Sequence, residues 1–161
     1  MNMRFLGVVA CAVVLLTVGC NKKEDGAGSA GGCPAGSTAA PAAGFCIKLP
    51  AGFKFEETKD DTTTFINATS DRIRVEHSKD YTFKNTPEDF KSMTGNKTPT
   101  SSGALLGGKG GWALLDDGQV ATGSVRVNHP KGGMLTWSLS GDSKSKKIQS
   151  QLEIAKTITP L

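Results

Sequence analysis

Histidines and cysteines are few in this chain, and the spacing of its reactive side chains decides which chemistry is open to them. The imidazoles are His77 and His129. A hydrolase triad needs a nucleophile, a base and an orienting acid in contact, and no Gly-x-Ser-x-Gly elbow occurs to mark a nucleophile. His77 is in phase with Ile73 and Val75 and reads as a strand-end histidine at the rim of a core. His129 precedes Pro130 in a turn and reads as exposed. Gly103 to Gly110 approaches the phosphate loop G-x-x-x-x-G-K-[ST]. It fails at Gly110, which has no hydroxyl for a magnesium ion, and at Gly111-Trp112, which opens a strand where a helix N-terminus is needed. Asp60-Asp61 and Asp116-Asp117 read as turns, because calcium needs about six to eight oxygens and no Asp-x-Asp-x-Asp-Gly loop is present. Trp112 and Trp137 read as core. The chain is therefore expected to be no enzyme, with no catalytic residue, metal or cofactor.

Two constellations suit binding. Arg72, Arg74 and Glu76 share one face of a strand, and Thr136, Ser138 and Ser140 share the polar face of another. If these faces coincide, the sheet offers an uncovered polar side with two guanidiniums, fit for a partner or an anionic glycan. Lys144, Lys146 and Lys147 crowd the start of the last helix, where the macrodipole disfavours cations. They form a candidate basic patch for anionic lipid or an acidic partner.

Composition bounds the rest. The chain has 161 residues, a net charge of +4, 37% apolar and 6% aromatic residues. That suits one domain and excludes a coiled coil, a collagen-like chain and a polytopic membrane protein. No concentrated basic stripe is present, so nucleic acid is not an expected partner.

Residues 1–19 read as a signal peptide. Arg4 supplies the positive charge and Phe5 to Val18 the apolar run, of fourteen residues. As a helix that run covers roughly 21 Å, short of the ~30 Å of a bilayer core. The run ends in Leu16-Thr17-Val18-Gly19-Cys20, which resembles a bacterial lipobox, with Thr17 where Leu is usual. The resemblance implies a diacylglycerol thioether on Cys20, cleavage before it, and a palmitate-bearing mature N-terminus anchored in the cell envelope. Asn21 after the Cys implies the outer membrane. More than one acyl chain is needed for stable attachment, since each buried methylene contributes only ~0.8 kcal/mol.

With Cys11 removed and Cys20 lipidated, Cys33 and Cys46 remain as one pair in an oxidising compartment, and a Cys33–Cys46 disulfide is expected. Closing that loop is worth about 3 kcal/mol on the chain-entropy model. The spacing suits neither a redox pair nor a zinc site. Residues 20–44 read as the lipidated Cys20 plus a Gly/Ala/Ser/Pro tether, too poor in large apolar groups to offset its chain entropy.

Residues 45–161 read as an α+β domain. Strands are expected at Phe45 to Leu49, Phe53 to Glu56 (half-buried by its strict alternation), Thr62 to Asn67 and Arg72 to His77. Thr86, Pro87, Glu88 and Asp89 mark a helix start, with Phe90 and Met93 on one face. Gly95 to Gly111 reads as a loop or weak edge strand. Strands then follow at Trp112 to Leu115, Val120 to Asn128 and Met134 to Ser140, with turns at Asp116-Asp117-Gly118 and Pro130 to Gly133. The last helix is expected from about Ser143 to Ile158, with Ile148, Leu152 and Ala155 inward and Pro160 as its stop.

The run Gly44-Phe45-Cys46-Ile47-Lys48-Leu49-Pro50-Ala51-Gly52-Phe53 resembles the opening of PsbP-like domains. The Thr86-Pro87-Glu88-Asp89-Phe90 helix and the closing helix into Lys156-Thr157-Ile158-Thr159-Pro160 are similar to that architecture. The resemblance implies a curved antiparallel sheet with a short middle helix and a C-terminal helix packed on it. It carries no catalytic residues. The expected function is a lipid-anchored accessory module that binds an envelope protein. The alternative is a small-ligand binder with a pocket between the sheet and the C-terminal helix.

Overall fold

The computed structural model describes residues 32–40, 43–144 and 146–161. Its strands are β1 (Thr38–Ala40), β2 (Phe45–Ile47), β3 (Lys54–Lys59), β4 (Thr62–Ile66), β5 (Arg72–Ser78), β6 (Ser101–Leu105), β7 (Gly110–Asp116), β8 (Val120–Asn128), β9 (Met134–Asp142) and β10 (Thr159–Pro160). The helices are α1 (Pro87–Ser92) and α2 (Lys146–Ala155). Seven strands form one sheet in the order β3-β4-β5-β9-β8-β7-β6, and three form a small sheet, β1-β2-β10. Every pairing is antiparallel. The large sheet is two meanders, β3 to β5 and β6 to β9, joined where β5 meets β9. The class is α+β.

Alternation makes two faces of this sheet. One face carries Phe65, Ile73, Val75, Leu114, Val125, Val127, Leu135, Trp137 and Leu139 into the main core. Ile148, Leu152 and Ala155 of α2, with Phe45 and Ile47 of β2, close over it. The opposite face is covered only in part: Phe83, Phe90 and Met93 from α1 and its flanks pack on Ala113 and Met134. Reciprocal hydrogen bonds hold that cover in place. The Phe83 N–H donates to Asn128 Oδ1 at 2.7 Å, and Asn128 Nδ2 donates to the Phe83 carbonyl at 2.8 Å.

Four expectations are corrected. Every residue of β3 is exposed, although its alternation reads as half-buried. β3 is the outermost strand, and Phe55, 41% exposed, meets the core only edge-on to Phe65, with ring centroids 6.2 Å apart. Secondly, Thr38–Ala40 lies inside the stretch read as tether yet forms a strand on β2. The disulfide brings this segment alongside β2, and the methyl groups of Ala39 and Ala40 are small enough to be buried there. Thirdly, α2 spans Lys146–Ala155, short at both ends of the expected Ser143 to Ile158. Ser143 Oγ donates to Asp116 Oδ1, and the Lys144 N–H donates to Asp142 Oδ1. These bonds hold Ser143 and Lys144 in a turn against the β7–β8 hairpin. Fourthly, Pro160 does more than stop a helix: after Ile158, Thr159–Pro160 pairs with β2.

Candidate functional site

Among the described residues, the sheet and α2 leave a groove of about 430 Å³ where the start of β5 faces the helix. Phe53, Ile73 and Ile154 supply apolar walls, and Arg72, Asp71, Lys147 and Gln151 supply polar ones. The volume lies in the ~300–1,000 Å³ range of small-molecule sites. The β4–β5 turn builds one wall. The Asp71 N–H donates to Asn67 Oδ1 at 2.8 Å, while Asn67 Nδ2 and Thr69 Oγ1 both donate to Asp71 Oδ2 at 2.9 Å. Those side-chain donors, with the charge of Lys147, hold the Asp71 carboxyl below its ordinary range. Lys147 Nζ stands 3.9 Å from Asp71 Oδ1, and Arg72 Nε pairs with Glu56 Oε2 at 3.3 Å.

Two residues singled out separately in the sequence, Arg72 from the strand face and Lys147 from the basic run, thus meet at this groove. Lys146 is exposed in the first turn of α2, and Lys144 is exposed in the preceding turn. Arg74 and Glu76 are exposed along β5. The β5–β9 ladder runs only through Glu76–Ser78 and Met134–Thr136. Glu76 therefore sits beside Thr136, while Arg72 and Arg74 are not in register with Ser138 and Ser140. The two polar faces coincide at one end only.

The sequence reading missed Arg126, which extends the row Glu76, Thr136, Arg126 across three strands. Its guanidinium is half-buried against α1: Nη1 donates to Ser92 Oγ at 2.5 Å, and Nη2 reaches the Ser92 carbonyl at 3.5 Å. Burial pushes its pKa down, and the Asp89 carboxylate opposes that. The alternation of Val125 and Val127 gives the direction of Arg126 in the sequence. The helix that covers it is not local and leaves no such trace.

Cys33 and Cys46 are bonded, with Cα atoms 5.7 Å apart. Cys20 and residues 1–31 lie outside the described residues. Trp137 is 4% exposed and part of the filled core. Trp112 is half-buried, and the Lys156 ammonium caps its ring 4.3 Å from the centroid. His129 is corrected: it is buried, 7% exposed, because residues 43–44 lie over the turn that carries it. Among the described residues, no group of three or more His, Cys, Asp or Glu could hold a metal ion. Nor is any helix there long and apolar enough to cross a membrane.

No family model matches the chain, and no curated protein matches it. Among solved structures, the chain is similar to a crystal structure from Bacteroides thetaiotaomicron VPI-5482. The identity is 14%, with 73% of this chain and 45% of that chain covered and a TM-score of 0.45. The chain thus spans under half the length of that neighbour.

Proposed function

We propose that the chain is a lipid-anchored protein of the bacterial cell envelope, held at the outer membrane through acyl chains on Cys20. Its PsbP-like domain serves as a non-catalytic interaction module for an envelope protein partner. The lipobox at Leu16 to Cys20 supports the address. An antiparallel sheet with a middle helix, and a closing helix packed on its core face, supports the PsbP-like plan. The observation that carries the interaction reading is the exposed strip Arg72, Arg74, Glu76 on β5, beside a core that is already filled. A strip of two guanidiniums and a carboxylate suits a partner with acidic and amide groups.

Crosslinking in intact cells, followed by affinity recovery and mass spectrometry, tests this reading. A discrete partner is expected, absent from a Cys20→Ala form and weakened by Arg74→Glu. No partner above background would sink the interaction module.

One observation favours a second reading, binding of a small molecule. The groove between β5 and α2 has apolar walls, with Arg72, Lys147 and the Asp71 carboxylate at its rim. Titration with anilinonaphthalene sulfonate, an aromatic anion, tests it. Saturable fluorescence that disappears when Gln151→Trp fills the groove supports the reading, and fluorescence unchanged by that substitution removes it.

A further inference from the structure

His77 and His129 do not serve either reading, yet they are stacked, with ring centroids 4.5 Å apart and planes tilted by 37°. They join segments distant in sequence. His77 is the penultimate residue of β5, and His129 opens the β8–β9 turn. Ala43 and Gly44, which lead into β2, line the same cleft. Gly44 has φ +70°, and a Cβ there would lie 2.3 Å from His129 Nε2, so the ring rests directly on its backbone. Gly44 is in turn tied to the small sheet, since its carbonyl accepts the Leu161 N–H at 2.8 Å.

The hydrogen bonds set which nitrogen of the neutral His129 ring carries the proton. The Lys131 N–H donates to His129 Nδ1 at 3.2 Å, so the neutral ring carries its proton on Nε2. That atom is buried without a hydrogen-bond partner. His77 Nε2 donates to the Gly132 carbonyl at 3.0 Å. An imidazolium has no acceptor left. A proton added to His129 Nδ1 therefore meets the Lys131 N–H head-on and leaves a charge buried against Gly44. The charged groups around the pair come from every element packed on it. They are Lys131 in its own turn, Asp60 and Asp61 in the β3–β4 turn, Glu76 in β5, and Lys79 and Asp80 after it. The Asp61 carboxylate is already engaged by Lys79 Nζ, 3.0 Å from Oδ2.

We propose that the stacked His77–His129 pair is an acid-sensitive latch: when His129 takes up a proton, the 129–133 turn separates from Gly44 and the small sheet loosens from the core. Burial, then the neighbouring His77, push the His129 pKa below its ordinary value, outweighing the backbone groups of Ala43 and Gly44, which pull it up. The sign follows. The folded ring binds a proton less readily than the unfolded one, so the latch is fully closed above ~6.5 and weakens as pH falls through the lowered value. Cys33–Cys46 keeps β2 stapled to the preceding segment while this happens.

The test uses the purified full chain. Histidine ring resonances are followed from about pH 8 to 5, across the range where imidazole changes charge. Amide exchange, corrected for intrinsic rates, is compared at the two ends. His129 is expected to titrate below the free-imidazole range. Phe45–Ile47 and His129–Gly133 should lose protection severalfold more than the centre of β8. His129→Gln keeps an acceptor but cannot take a proton, and should make that protection independent of pH. Should this variant not fold, the wild-type measurements decide alone. Titration of His129 at or above the free range, or protection of Phe45–Ile47 that tracks β8 at both ends, overturns the proposal.

Discussion

Gly123 sits in the middle of β8, paired with Leu114 of β7 and Leu139 of β9. A methyl group there would stand 2.0 Å from the Ala113 carbonyl oxygen. Backbone cannot step aside as a side chain can, so β7 and β8 would have to part. We expect Gly123→Ala to cost about 3 kcal/mol, the upper end of overpacking, read as a lower urea midpoint with unchanged slope. A flanking control, Ser138→Ala on the exposed face, should leave the midpoint nearly where it was. Single residues differ in how far they announce themselves. The Cys33–Cys46 bond was legible because so few thiols were left to pair. His129 was not, since the neighbourhood Pro130-Lys131-Gly132-Gly133 speaks of a turn and says nothing about the chain that lies over it.

Helix α1 was legible because its signals are local. Thr86 Oγ1 accepts the Asp89 N–H at 3.3 Å, and Asp89 Oδ2 accepts the Thr86 N–H at 3.1 Å, a reciprocal capping box. Burial pushes the Asp89 carboxyl up, but the Thr86 and Lys84 backbone donors and the Thr86 hydroxyl outweigh it and hold the pKa low. Thr86→Ala should destabilise the domain by about 1 kcal/mol. The loss should fall on the face that α1 covers, seen as faster amide exchange at Phe90 and Met93. The start of α2 and the burial of β3 were less legible for the opposite reason. Ser143 answers to Asp116, 27 residues away. Phe55 alternates like a core residue but stands on the last strand of the sheet. Periodicity reports which way a side chain points, and the topology decides whether anything is there to meet it.

Across the whole molecule, the large sheet separates a filled core from a partly clothed outer face. The groove at β5 and α2 lies where the two meanders diverge beyond Thr136. Strand identity and the antiparallel class followed from turn chemistry at Asp116-Asp117-Gly118 and Pro130 to Gly133. The pairing of β5 with β9 did not, because no turn joins them and the register rests on long-range packing. The groove depends on that pairing, so its two contributors, Arg72 and Lys147, were picked out in the sequence but not brought together.

The disulfide also fixes a mechanical route. Any pull arriving from residues before Cys33 enters the domain at Cys33 and passes through the S–S bond straight into Cys46 on β2. The twelve residues between the two cysteines, β1 among them, lie off this path and bear no load. A single-molecule stretch of the oxidised chain should therefore unravel short by those twelve residues. The reduced chain should give back about 40 Å at ~3.3–3.6 Å per residue. Reduction thus changes where force is first felt, from the central strand of the small sheet to its edge, where β1 peels away first.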